Sequence, residues 1–410
     1  MAYRILFLVP HMPYPPHQGG ALRNFGLIKG LAERGHTVSL LAFSAPEQPA
    51  IEQTPLAALC DTVCTIPMPV RTTGQRLRDL LAGYADLTRR FWSERCDEEL
   101  GRLLREKTFD VIHLDIEMAG YLPTIRRGAP RAALIYDALN AEYELQRRIA
   151  LQDLRSLKRL PLAAYSAIQA RRLRRVETLL CRASAHVFAC SEVDADLLAR
   201  LPHQTPITVV PNAITTAGYD TPPPPAALPH PALVFTGKMD YRPNVDAVLW
   251  FARSILPLVQ TQQPEAHLIV VGQQPHPRLD VLRGRPDVTL TGYVSEVQPY
   301  IAGADVYVAP LRMGSGTRFK LLEAMAMGSP VVSTRLGAEG LAVEDGVHLR
   351  LADTAGEFAS AVLDLLADER TRQELAANAR RLVREHYDWS AIIPRVEAGY
   401  SAAYARVSLA

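Results

Sequence analysis

The chain has 410 residues, 48% of them hydrophobic and 21% charged, with a formal net charge of +2. That length is more than one core usually accommodates, so two domains are expected, and the near-balanced charge removes any general electrostatic case for nucleic acid. Five cysteines, an odd number without regular spacing, argue against a disulfide framework and fit a reducing compartment.

Arg4 to Val9 reads as a strand that stops at Pro10, too short for a signal peptide. No stretch approaches the roughly 20 apolar residues that cross a bilayer, so a cytoplasmic protein is expected. Gly19 and Gly20 open a periodic segment, Leu22, Phe25, Leu27, Ile28 and Leu31, which predicts a helix ending near Gly35. With His36 to Phe43 as the next strand, the glycine loop falls at the carboxyl end of strand one, where open parallel sheets bind ligands. A plain tight turn is the competing reading of the two glycines. Arg23 is one turn inside the helix and within reach of the cleft.

Val63 to Ile66 reads as a short strand and Arg71 to Lys107 as mainly helical. Phe109 to Asp115 is a strand delivering Asp115 and Glu117 at its exit, with His113 on the face of Asp115. Leu134 to Asp137 is another strand, followed by Asn140. From Leu145 to Arg182 the basic residues Arg147, Arg148, Arg155, Lys158, Arg159, Arg171, Arg172, Arg174, Arg175 and Arg182 meet only Asp153 and Glu177 as acids. Helical spacing gives them a basic face, either for an anionic membrane surface or a polyprenyl-diphosphate acceptor, or simply solvated. The face lacks interleaved aromatics and a reading module, so nucleic acid is not expected.

His186 to Ser191 and Ile207 to Val210 continue the strands. Thr221 to Pro231 holds six prolines and forms neither helix nor central strand. This places a first domain at 1–218, a linker at 219–231, a second domain at 232–385 and a C-terminal segment at 386–410. The second domain opens with Leu233 to Gly237, then Lys238 and Arg242 in a loop, then an apolar helix from Val245 to Leu258. Ala304 to Pro310 is a strand, followed by a loop with Gly314, Ser315, Gly316 and Thr317, a helix from Phe319 to Met327, and a strand at Val331 to Ser333.

Such a glycine-rich loop turns backbone N–H groups and a helix N-terminus toward an anion. Arg312, Arg318 and Lys320 suit phosphate oxygens, and Glu323 suits two adjacent hydroxyls such as those of a ribose. A nucleoside diphosphate needs both. The bland alternative is a solvated basic loop with an ion pair between Lys320 and Glu323.

The stretch RFKLLEAMAMGSPVVST with Gly337-Ala338-Glu339-Gly340, together with PYPPHQGGALRNFGLIKGLAERGHTVSLLAF and GKMDYRPNVDAVLWF, resembles the GT-B glycosyltransferases, in particular the retaining family 4 group. The resemblance implies an α/β GT-B fold, two Rossmann-like domains facing each other across a cleft. It implies sugar transfer from a UDP-, GDP- or dTDP-sugar, with retention and no required cofactor or metal, to a glycan or polyprenyl-diphosphate-linked acceptor in exopolysaccharide or cell-surface polysaccharide assembly. It assigns Lys238, Arg242, Arg318, Lys320, Gly314, Ser315, Gly316 and Thr317 to the donor diphosphate and sugar, Glu323 to the ribose, and Gly19 and Gly20 to the donor side of the cleft. Asp115 takes the position where many members carry a histidine and is expected to contact a sugar hydroxyl or the acceptor, with Asp137 and Asn140 as secondary acceptor-side positions. The resemblance also carries the segment after His386 back to the first domain. The protein is expected in the cytoplasm, with the basic face of 145–182 as its contact with the inner face of the membrane. Two departures, Asp115 and Ser315, keep a catalytically silent sugar-nucleotide-binding partner open as an alternative. A nucleotide-sugar epimerase would need acid and base groups that the chain does not clearly present.

Overall fold

The strands are short and almost wholly apolar, the pattern of parallel sheets covered on both faces. In the computed structural model the described residues are all but 17–18, 155–156, 315–317 and 410, with the side chain of Lys158 also outside them. They form two compact units, one of Met1–Pro211 with Ile392–Ala410, the other of Asn212–Ala391.

In the first unit β1 (Arg4–Val9), β2 (Thr37–Ser44), β3 (Thr62–Pro67), β4 (Val111–Asp115), β5 (Ala133–Ala138), β6 (His186–Ala189) and β7 (Ile207–Val209) lie in the order β3-β2-β1-β4-β5-β6-β7. Every pairing is parallel. Strand order reverses between β1 and β4, so the loops leaving those two strands diverge and open a crevice at the carboxyl edge. The Gly19–Glu33 helix starts there, and Asp115 is the last residue of β4.

The second unit repeats the plan with β8 (Ala232–Thr236), β9 (His267–Val271), β10 (Val288–Gly292), β11 (Val306–Ala309), β12 (Val331–Ser333) and β13 (Arg350–Leu351), in the order β10-β9-β8-β11-β12-β13. Its switch point lies between β8 and β11. The apolar segment expected over 245–258 starts earlier, at Arg242, and passes through a π-helical stretch, Phe251–Ile255, just before Pro257. Proline has no N–H for the preceding turn, and the wider turn accommodates the loss.

The proline-rich segment packs on the second unit: Ala226 N donates to Pro299 O, and a side chain on Gly303 would strike Ala226 O and Leu228. The Trp389–Ser408 helix returns to the first sheet from Ile392 onward. There Gly399 lies against the Phe188 ring so closely that a Cβ would come within 2.3 Å of it.

The basic face of 145–182 is partly neutralised. Arg147 and Arg148 pair with Glu144, one residue outside the segment, and Arg159 pairs with Asp153. Arg172 donates to Leu80 O and Tyr84 O, and Arg182 to Pro202 O. Arg171, Arg174 and Arg175 are exposed, whereas Arg155 and the Lys158 side chain lie outside the described residues. Among the described residues no helix is long and apolar enough to cross a membrane.

Candidate functional site

In the second unit the loops leaving β8 and β11 meet around Lys320. Its ammonium donates to Thr236 O at 2.6 Å and to Asn244 Oδ1 at 2.8 Å, and lies 4.1 Å from the centre of the Phe235 ring. Burial, reinforced by Arg318 and opposed by Glu323, pulls its pKa down to about 7. Asn244 is itself fixed by donating to Lys238 O at 2.9 Å. Two glycines make this packing possible. A Cβ on Gly237, at φ +153°, would come within 2.7 Å of both the Asn244 amide and the Lys320 ammonium, and one on Gly272 would lie 1.7 Å from Gly237 O.

Glu323, one turn along the Phe319–Ala326 helix, accepts from the Tyr219 hydroxyl at 3.4 Å, and burial raises its carboxyl pKa. Arg318 precedes that helix and is 9% exposed. Burial lowers its guanidinium, while Tyr241 and Glu339 act in the opposite sense. The Gly337 turn beneath is held by Thr334 Oγ1, which accepts from Gly337 N at 2.9 Å and donates to Leu311 O. The result is a group of two desolvated cations, one desolvated carboxyl and a helix N-terminus, chemistry suited to an anion and to hydroxyls.

The sequence-derived residues divide. Arg318, Lys320 and Glu323 converge, with Gly314 at φ +109° close against the Arg318 guanidinium. Lys320 is directed at Thr236 and Asn244, which replaces the simple ion pair with Glu323 as its anchoring. Lys238 and Arg242 remain on the exposed side of the β8 loop, Lys238 lying 3.4 Å from Asp240. Arg312 departs from its expected phosphate role: it bonds Asp246 at 3.1 and 3.0 Å and stacks on Trp250. Ser315, Gly316 and Thr317 lie outside the described residues. Asn244, Thr236 and Tyr219 were not anticipated, and uncharged residues distant in sequence gave no signal for them.

In the first unit, Gly19 and Gly20 begin their helix at the sheet's carboxyl edge, with Gly20 facing Leu139. Arg23, expected to reach out to the cleft, is turned into the core instead. It is fully buried and donates to both Asp137 oxygens, at 2.7 and 2.6 Å, and to Val210 O at 2.8 Å. Burial alone would raise the Asp137 carboxyl, but Arg23 and then His113 outweigh it and hold it well below the usual range. Asp137 is therefore a structural counter-ion rather than an acceptor contact. His113 is also in the core: Nδ1 is 2.8 Å from the Tyr400 hydroxyl, and Nε2 lies 3.1 Å from Asp137 outside hydrogen-bond geometry.

His113, Asp115 and Asp137 offer ligand atoms within 4.8 Å of one another, yet the Arg23 guanidinium already serves Asp137 as its cation. Asp115 accepts from Asn24 Nδ2 at 3.2 Å, and burial, then Glu117 and Asp137, push its carboxyl well above the ordinary value. Asn140 turns to Glu142, donating at 2.9 Å.

Two doubly wound parallel sheets, one in each unit, define the GT-B architecture. Residues 18–217 match the family model "Glycosyltransferase Family 4" and residues 230–368 match "Glycosyl transferases group 1". The chain belongs to the GT-B glycosyltransferases of the family 4 type. It is 29% identical over 180 residues to a phosphatidyl-myo-inositol mannosyltransferase of Propionibacterium freudenreichii, covering 42% of this chain and 44% of that protein. It is 24% identical over 164 residues to an "Uncharacterized 44.6 kDa protein in cps region" of Klebsiella pneumoniae, covering 38% of this chain and 42% of that one. The chain thus spans less than half the length of these curated relatives. Its fold is similar to that of Anabaena Alr3699/HepE, solved with UDP and glucose, at 15% identity and a TM-score of 0.64, over 98% of this chain and all of that one.

Proposed function

We propose that the protein transfers a glycosyl group from a nucleoside-diphosphate sugar to a glycan or lipid-linked acceptor. The observation that carries this is the convergence of Arg318, Lys320 and Glu323 beside the Gly237 loop, two desolvated cations and a carboxyl at a strand switch point. Lys320 and Arg318, joined by Lys238 and Arg242 from the neighbouring loop, neutralise the departing diphosphate, and the helix N-terminus at Phe319 adds its dipole. Gly314, Ser315, Gly316 and Thr317 supply backbone and hydroxyl contacts to the donor. Glu323 accepts from the ribose hydroxyls.

The anomeric carbon–phosphate oxygen bond breaks as the acceptor oxygen bonds that carbon on the same face. The acceptor proton passes to a leaving phosphate oxygen, giving retention without a side-chain base. Gly19, Gly20 and Asp115 belong to the first unit's contribution, and the ranges 1–218 and 232–385 are the acceptor and donor domains. The named activity of the mannosyltransferase relative supports a lipid-linked acceptor, and HepE makes UDP-sugars the first donors to test. We place the reaction on the cytoplasmic face of the membrane, in cell-surface polysaccharide assembly, with Arg171, Arg174 and Arg175 toward anionic lipid.

The test is a panel of UDP-, GDP- and dTDP-sugars incubated with lipid-extract acceptors and read by mass spectrometry. Transfer with one donor supports the proposal, and tight binding with no turnover identifies a silent sugar-nucleotide-binding partner instead.

A further inference from the structure

Lys320 is held by two acceptors, and neither lies on its own helix. Its nitrogen is 2.6 Å from Thr236 O and 2.8 Å from Asn244 Oδ1. Thr236 O is a main-chain group at the end of β8, so any residue there supplies it. Asn244 instead acts through its side chain, which is buried and comes from 76 residues away. Its amide makes a second bond, donating to Lys238 O at 2.9 Å, and this fixes the side-chain carbonyl facing the lysine. Gly237 leaves room for the contact, since a Cβ there would come within 2.7 Å of both partners.

A neutral amine has two hydrogens and a lone pair, whereas an ammonium has three hydrogens. Thr236 O and Asn244 Oδ1 accept two. For a third, the described residues offer only the face of the Phe235 ring, 4.1 Å from nitrogen to ring centre. The surroundings also oppose charge. Asn244 and Lys320 stand in the first turns of the Arg242–Trp250 and Phe319–Ala326 helices, whose positive ends therefore converge on the amine. Burial and then Arg318 act against the charged form, and Glu323 favours it less strongly. The other titratable groups nearby are occupied: Lys238 lies against Asp240, the Tyr219 hydroxyl donates to Glu323, and the Tyr307 hydroxyl is 2.7 Å from Thr236 Oγ1. The free site thus satisfies a neutral amine and lacks a strong acceptor for one more proton. A diphosphate oxygen is such an acceptor.

We propose that Asn244 is the positioning residue of the diphosphate site: its carbonyl takes one amine hydrogen of Lys320 and leaves the third position on the nitrogen for a phosphate oxygen, so that nucleotide binding and protonation of Lys320 occur together. The proton comes from solvent and bonds to the amine lone pair, and no bond of the nucleotide breaks. The inference rests on the assignment of Lys320 to the donor diphosphate and adds the residue that sets the proton linkage of that site.

The test titrates the full chain, Asn244→Asp and Asn244→Leu with the tightest of UDP, GDP and dTDP, by calorimetry in paired buffers of different ionisation enthalpy. The wild type takes up about half a proton near pH 7 and about 0.9 near pH 8. Asn244→Asp gives the ammonium a permanent counter-charge, so the free protein already holds the proton. Uptake near pH 8 then falls below about 0.3, and the nucleotide binds at least about tenfold more weakly against the added carboxylate. Asn244→Leu keeps the side-chain shape but withdraws the acceptor, which drives the free amine further toward its neutral form. Uptake near pH 7 then rises from about half toward one. A residue that only packs the loop weakens binding in both variants and leaves the proton count unchanged. An aspartate variant with wild-type uptake, or a leucine variant whose uptake falls, overturns the inference; each is read independently, so a misfolded variant leaves the other decisive. Binding to the wild type separates the two levels: if no nucleoside diphosphate binds, the donor-site reading fails and the inference with it, and if binding persists with the wrong proton counts only the role of Asn244 falls.

Discussion

Replacing Lys320 with methionine keeps the aliphatic stem and removes the charge from the proposed diphosphate site. In the free protein the ammonium sits against Thr236 O, Asn244 Oδ1 and the Phe235 ring, and burial brings its pKa from 10.5 to about 7. At about 1.4 kcal/mol per unit, that difference corresponds to at most about 5 kcal/mol, reduced by the partial access of water to the side chain. The folded value lies below the unfolded one, so the unfolded chain holds more protons between about pH 7 and 10.5. Stability therefore rises with pH across that window, and the burial cost is carried in full below it. A bound diphosphate provides the missing counter-charge and restores the protonated form. Nucleotide binding then takes up a proton, about half per site near pH 7 and approaching one by about pH 8 to 9, and affinity falls as pH rises. Lys320→Met abolishes the uptake, flattens the rise of ligand-free Tm with pH, and weakens binding by about 2–3 kcal/mol, roughly 30- to 150-fold. Calorimetric titration with the tightest of UDP, GDP and dTDP, in paired buffers of different ionisation enthalpy, reads both quantities. Binding without proton uptake in the wild type, or a variant within about threefold of it, refutes the reasoning.

Gly237→Ala pushes a methyl group into the Asn244 amide and the Lys320 ammonium at 2.7 Å and strains a φ of +153°, so it lowers stability by about 1–3 kcal/mol. It also weakens nucleotide at least about tenfold, which denaturant titration and calorimetry check separately. Glu323→Gln weakens a ribonucleoside diphosphate about tenfold but its 2′,3′-dideoxy analogue less than about twofold, because only the former offers the hydroxyls. Equal losses for both nucleotides remove the ribose assignment. Asp137→Asn leaves the fully buried Arg23 without its counter-charge and costs about 3–5 kcal/mol in urea unfolding. A loss below about 1 kcal/mol would show that the pair is dispensable.

Legibility in the sequence followed the range of the interactions. The parallel strands announce themselves as apolar runs because both their faces are covered, and the loop-helix unit around Gly314 to Glu323 is contiguous in the chain. The closeness of Arg318, Lys320 and Glu323 is legible for that reason. Asn244 and Tyr219 act on Lys320 and Glu323 from 76 and 104 residues away, and single polar residues at such separations carry no periodic signal. Arg23 and Asp137, 114 residues apart, looked like two site residues, since a buried ion pair and a pair of ligand contacts have the same composition. Arg312 likewise has the composition of a phosphate contact but pairs with Asp246, which reaches it only once β8 and β11 are neighbours. The basic face of 145–182 appeared fuller than it is, since backbone carbonyls of other elements accept from Arg172 and Arg182 and are invisible in a count of acids.

The most direct test of the central claim is mass-spectrometric detection of product from purified protein, a panel of nucleotide sugars and lipid-extract acceptors, with Lys320→Met as the control. The account predicts an acceptor heavier by one glycosyl residue, an equal amount of nucleoside diphosphate released, and neither product with the variant. A variant that transfers as well as the wild type, or a wild type that binds the sugar nucleotide and never transfers it, contradicts the account.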